Sequence, residues 1–159
     1  MLQRIKPFLW FDSNAEEAVK FYTGIFEDSE ILSVSRYGEA GPGPAGSVMV
    51  VNFRIAGQEF IALNGGPHFK FNESISFSVS CESQAEVDHY WERLSEGGQE
   101  VQCGWIEDKF GLSWQVNPTI LGKLLADKDA AKARRVMRAM LQMKKIDIAG
   151  LERAAARED

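Results

Sequence analysis

Two stretches of this chain superpose at a single offset of 69 residues, and that repetition limits the fold more than any local propensity does. Phe8 falls on Phe77, Glu17 on Glu86, Ala18 on Val87, Phe21 on Tyr90, Tyr22 on Trp91 and Ile25 on Leu94. One constant offset brings both a strand and the apolar stripe of a helix into register, so one supersecondary unit is used twice. With 159 residues, 45% of them apolar, the chain has enough material for a compact core and little room for long disorder.

The first copy starts with residues 4–11, which read as a strand whose ladder is interrupted at Pro7. Asn14 is placed to cap a helix through residues 15–26, with Glu16 and Glu17 in its first turn. Ala18, Phe21, Tyr22 and Ile25 give that helix one apolar face. Strands are predicted at 31–37, 47–55 and 59–63, the first two separated by the Gly/Pro stretch GEAGPGPAGS. The second copy predicts a strand at 74–81 and a helix at 84–94 with Val87, Tyr90, Trp91 and Leu94 on one face. Gly97-Gly98 then turn the chain into short strands around 100–103, 105–108 and 113–116. The expectation is an α+β fold of paired βαβββ modules over residues 1–120 (about 1–66 and 72–118), followed by a helical extension over 121–159.

In the extension, a helix is predicted at 128–143, with Ala133, Val136, Met137, Met140 and Met143 along one side, and a second at 147–156 capped by the Asp147 carboxylate. Its apolar side must be buried on the body or across a dimer interface, and the dimer is favoured. Charge divides the same way. Residues 1–120 carry 8 basic and 17 acidic side chains, whereas residues 121–159 carry 10 basic and 6 acidic ones. An acidic body argues against nucleic acid as a partner. No apolar run approaches the roughly 20 residues that cross a bilayer, and no signal segment is read at the start. Two cysteines, Cys81 and Cys103, make no disulfide framework, so a cytoplasmic location is expected.

The stretches PFLWFDSNAEEAVKFYTGIF, LNGGPHFKFNESISFSVSC, CGWIEDKFGLSWQVNP and AMLQMKKIDIAGLERAA resemble the PhnB-like group, which carries the label "3-demethylubiquinone-9 3-methyltransferase". That group is part of the vicinal oxygen chelate superfamily of glyoxalase I, bleomycin-resistance proteins and extradiol dioxygenases. The resemblance implies eight strands forming a cup for a small ligand, commonly in a homodimer. In metal-dependent members it also implies four ligands, on the first and last strand of each module. At those places this chain has Pro7, Ala62 with apolar neighbours, Ser74 and Gln115. Only Gln115 sits where a ligating Glu is usual and could coordinate through its amide oxygen, and one such residue does not make a tight divalent site.

Other chemistry is sparse. His89 lies opposite the apolar helix face and His68 sits in the NGGPHF turn as a rim residue. Gly65-Gly66-Pro67 does not lead into a helix, so the glycine-rich cradle of a Rossmann-type S-adenosylmethionine site is missing. Cys103 reads as a small buried thiol, or as a nucleophile if a neighbour lowers its pKa. Glu107 and Asp108 point to opposite faces of a strand, while Arg36 and Arg54 read as solvated. Aromatic residues Trp10, Phe69, Phe71, Trp105, Phe110 and Trp114 gather around the strands of the expected cup, and two or three of them are expected to line it. The candidate ligand-binding set is Trp10, Asp12, Asn64, His68, Phe69, Cys103, Trp105, Trp114 and Gln115, with no metal ligands and no cofactor. The leading expectation is a cytoplasmic homodimer that binds a small, largely apolar or aromatic molecule and has no assigned reaction. The alternatives are a metal-dependent lyase, isomerase or dioxygenase, and a dimeric interaction module.

Overall fold

A computed structural model describes residues 2–157. The chain divides between Phe71 and Asn72 into two compact units. The first contains β1 (Phe8–Phe11), α1 (Ala15–Thr23), β2 (Glu30–Arg36), β3 (Val48–Ile55) and β4 (Gln58–Asn64). The second opens with β5 (Ser76–Cys81), α2 (Gln84–Ser95), β6 (Gln99–Glu100), β7 (Trp105–Glu107) and β8 (Ser113–Pro118). The sheet orders are β1-β4-β3-β2 and β5-β8-β7-β6, with the first strand parallel to the last in each. The repeat is therefore a topological duplication, and the fold class is the expected α+β.

Burial explains why each copy folds alike. In the first unit Leu9, Phe11, Val51, Phe53, Phe60 and Ala62 are buried, as are Ala18, Val19 and Tyr22 of α1, and the rings of Tyr22, Phe53 and Phe60 stack. In the second, Cys81, Ile106, Trp114 and Val116 are buried along with Val87, Trp91 and Leu94 of α2. Burial of the Cys81 thiol, aided by the Glu86 carboxylate, pushes its pKa up to about 11 and leaves it unreactive. A reciprocal cap starts α2: Ser83 Oγ accepts from Glu86 N at 3.2 Å, and Glu86 Oε2 accepts from Glu82 N at 2.7 Å.

Two boundaries differ from expectation for local reasons. β1 begins at Phe8 rather than residue 4. Ahead of Pro7, the Gln3 carboxamide pairs like a peptide group, its Nε2 donating to Glu59 O and its Oε1 accepting from Glu59 N, both at 3.0 Å. Asn14 precedes α1, but its side chain caps nothing.

Among the described residues the extension holds three helices rather than two: α3 (Thr119–Leu125), α4 (Ala130–Met140) and α5 (Ile148–Ala156). β8 passes into α3 without a loop, although Asn117-Pro118 at the junction is a turn signal. Leu121, Val136, Ile146 and Leu151 form a small core, against which Leu124, Leu125, Met140, Met143 and Ala155 pack. The extension thus buries most of its apolar side within its own unit, while Met137 stays exposed. Asp147 does not cap α5; its carboxylate lies 3.4 Å from Arg153 instead. The α5 amide of Ile148 donates to Gln84 Oε1 at 2.8 Å, while Gln84 Nε2 donates to Ile146 O at 3.1 Å. Lys145 pairs with Asp88 at 2.8 Å; this contact and the Gln84 hydrogen bond hold the Asp88 carboxyl below its usual range. Among the described residues no helix is long and apolar enough to cross a membrane.

Gln84 is the polar pin between α2 and the extension. Replacing it with Ala strands the carbonyl of fully buried Ile146 and the amide of Ile148, at about 1–3 kcal/mol. Thermal denaturation of Gln84→Ala is expected to show a fall of several degrees; an unchanged midpoint would contradict this assignment.

Candidate functional site

The first unit encloses a cavity of about 500 Å³ between the N-terminal end of α1, the Gly/Pro loop after β2 and the turn after β4. Asp12, Asn64 and His68 all line it, so three of the expected site residues come together. Asn64 holds the walls in place. Its Oδ1 accepts from Ala15 N, the first amide of α1, at 2.8 Å. Its Nδ2 donates to Val48 O at 3.1 Å, and its main-chain oxygen accepts from the Tyr37 hydroxyl. The side chain that caps α1 therefore comes from 49 residues along the chain rather than from Asn14.

Each flanking loop is pinned by one aromatic ring. A Cβ on Gly43 would lie 2.4 Å from the Tyr37 ring, and one on Gly65 would lie 2.2 Å from the Trp10 ring. Only glycine permits such close approach. Trp10 also donates from Nε1 to Gly66 O at 2.9 Å and meets the exposed Phe69 edge-on, with ring centroids 4.9 Å apart. Trp10 is thus a support behind the turn. Arg36 likewise serves the loop, through Gly46 O at 3.1 Å, and Arg54 pairs with Glu30 at 2.9 Å.

The remaining lining is mixed. Pro42, Pro44, Val48 and Pro67 are apolar; Asp12 and Glu16 bring carboxylates, and neither Lys nor Arg lines the cavity. Glu16 is paired with Lys20 at 3.2 Å. Asp12 has no ion-pair partner among the described residues. Tyr37 and the loop 38–46 are not among the expected site residues, yet Tyr37, Pro42, Gly43 and Pro44 line the cavity. The glycines at 41 and 43 beside a tyrosine are the signal for them, because a loop that needs two closely approached glycines has a ring beneath it.

The other candidates lie in the second unit. Strand alternation puts Trp114 on the buried side with Val116, 2% exposed, so it lines no cavity. Its Nε1 donates to Asp108 Oδ2 at 2.9 Å, and the other carboxylate oxygen takes the amides of Phe110 and Leu112 at 2.8 and 3.1 Å. Asp108 therefore organises the β7–β8 turn. On the opposite side of the sheet Gln115 Nε2 donates to Ser76 Oγ, and Asn117 Nδ2 donates to Ser78 Oγ, both at 2.9 Å. Asn117 Nδ2 also reaches Gln115 Oε1 at 3.3 Å. Cys103, Trp105 and Gln115 do share a cavity of about 330 Å³, together with Asn117 and residues of α3 and α4.

The donor set does not suit a divalent ion. No group of three His, Cys, Asp or Glu side chains among the described residues is arranged to hold one. Pro7 and Ala62 have no donor, Ser74 lies in an Asn72 turn ahead of β5, and the amide oxygen of Gln115 already accepts from Asn117. Nor does the Gly65-Gly66 turn suit a nucleotide-type methyl donor, since β4 is followed by loop and then β5 rather than by a helix.

Against known proteins, the family described as 3-demethylubiquinone-9 3-methyltransferase matches residues 3–117. The PhnB protein of Bacillus cereus, whose structure carries the same methyltransferase description, is 38% identical, covering 74% of this chain and 100% of its own at a TM-score of 0.68. Protein PA1353 of Pseudomonas aeruginosa is 24% identical over 74% of this chain and 98% of its own, at a TM-score of 0.60. The fosfomycin resistance protein FosX of Mesorhizobium loti shares the fold, with 16% identity, 80% and 100% coverage and a TM-score of 0.57. No curated protein matches the chain. The family match stops at residue 117, so α3–α5 lie outside it.

Proposed function

The chain belongs to the 3-demethylubiquinone-9 3-methyltransferase family, and from that membership we propose that it is a PhnB-like small-molecule binding protein of the glyoxalase/bleomycin resistance/dioxygenase superfamily. Its ligand occupies the first-unit cavity. The observation that carries this reading is the preformed hollow of about 500 Å³ whose two loops are held by Tyr37, Trp10 and the Asn64 carboxamide. That volume is within the range of small-molecule sites, about 300–1,000 Å³. Proline and valine side chains favour a largely apolar or aromatic body. Asp12, in a cavity lined by neither Lys nor Arg, favours a hydrogen-bond-donating or cationic end over an acidic one.

The reading includes neither metal-assisted turnover nor methyl transfer, because the residues fit neither group, and no reaction is assigned. It keeps the cytoplasm as the location, in accord with two unpaired thiols. It also keeps a homodimer: β2 is an edge strand whose Ile31, Leu32 and Val34 are exposed, a surface that pairing would cover. Sedimentation equilibrium at micromolar concentration is expected to give a dimer; a monomer there would remove that part.

A thermal-shift screen of small apolar amines and alcohols, with and without divalent ions, tests the ligand. A ligand at 100 times its dissociation constant stabilises by about 2.7 kcal/mol. The shift is expected to be independent of divalent ions and to shrink in Asp12→Asn. A shift that appears only with metal, or one firmly held divalent ion per purified chain, would overturn the reading.

A further inference from the structure

The second cavity exists because of the extension, which lies outside the family match. Its sheet side is polar and its helix side apolar. Pro118, Leu121, Gly122 and Leu125 all line it at the i, i+3, i+4, i+7 spacing of one face of α3, and Met140 of α4 joins them. The extension also fixes the turn that delivers Trp105: Met143 O and Lys144 O accept from Cys103 N and Gly104 N, both at 2.8 Å.

Gly122 is the informative residue. Glycine is the poorest helix former after proline, yet it stands inside α3 in the middle of an apolar face. A Cβ built there meets nothing within 4 Å, and no positive backbone angle requires a glycine. Its effect is to leave the cavity unfilled. Two half-buried polar groups remain over: the Trp105 indole N–H and Asn117 Oδ1 have no hydrogen-bond partner among the described residues. The serine contacts of Gln115 and Asn117 hold these amides in place, and no charged side chain lines the space. An ion would lose its hydration here without a counter-charge.

We propose that this cavity is a second small-molecule site, separate from the first-unit cavity, for a neutral compound with a ring-sized apolar body and an adjacent amide-like or phenol-like end. The apolar body lies against Leu121, Leu125 and Met140, and the polar end exchanges hydrogen bonds with Trp105 and Asn117.

Ligand-observed NMR on the full chain, with benzamide, benzoate and benzylammonium as probes, tests this. Benzamide is expected to bind about tenfold more tightly than either ion, because only it avoids uncompensated charge. Gly122→Leu is expected to weaken benzamide about tenfold by filling the cavity, with a melting temperature at or above the wild type. Trp105→Phe, which removes the N–H and keeps a ring, is expected to weaken it several-fold; Asp12→Asn, which alters the first-unit cavity, is expected to leave it unchanged. The proposal is overturned if benzamide fails to bind the wild type or binds no better than the ions. It is equally overturned if Gly122→Leu binds like wild type or melts lower, or if Asp12→Asn abolishes benzamide binding.

Discussion

One carboxamide, that of Asn64, connects every wall of the principal cavity. It ends β4, takes the first free amide of α1 and holds the start of β3, while its backbone oxygen anchors the tyrosine beneath the Gly/Pro loop. Each of those groups would otherwise need a separate partner. An amide side chain satisfies them because it donates from one atom and accepts at another, whereas an ionised carboxylate only accepts and a hydroxyl has a single oxygen for both tasks. The cavity is thus a consequence of how a helix start and two loops are tied to one strand end.

The second unit applies the same device elsewhere. Gln84 accepts from the first amide of α5 and donates to the Ile146 carbonyl two residues ahead of it, so the extension is joined to α2 by one side chain. Two helices therefore have their exposed N-terminal amides covered by residues remote in sequence. This is why the local capping candidates, Asn14 and Asp147, have no such role. Capping rules based on neighbouring residues hold for α2, which Ser83 caps; at α1 and α5 a tertiary partner takes the first amide instead.

The duplication was legible from six residue pairs because a strand and a helix stripe rarely share one offset by accident, and both sheets follow it. α3 was not legible, since Asn117-Pro118 reads as a turn while the chain in fact runs from β8 straight into the helix, Pro118 being both the last strand residue and the residue before the first turn. Part of the site was readable from the NGGPH turn, which places Asn64 and His68 beside Asp12. Trp114 shows the limit of counting aromatics: residues 114 and 115 are neighbours in the chain but face opposite sides of the sheet, so only Gln115 lines a cavity. Tyr37 was missed because its role depends on a loop folding back over its own ring.

The most direct test of the tie is amide hydrogen exchange, followed residue by residue in wild type and Asn64→Ala. The account predicts that protection falls at Ala15 and across residues 37–48, while β5, α2 and β8 of the second unit keep theirs. Protection unchanged at Ala15 and in the Gly/Pro loop would contradict it, as would an equal loss in both units.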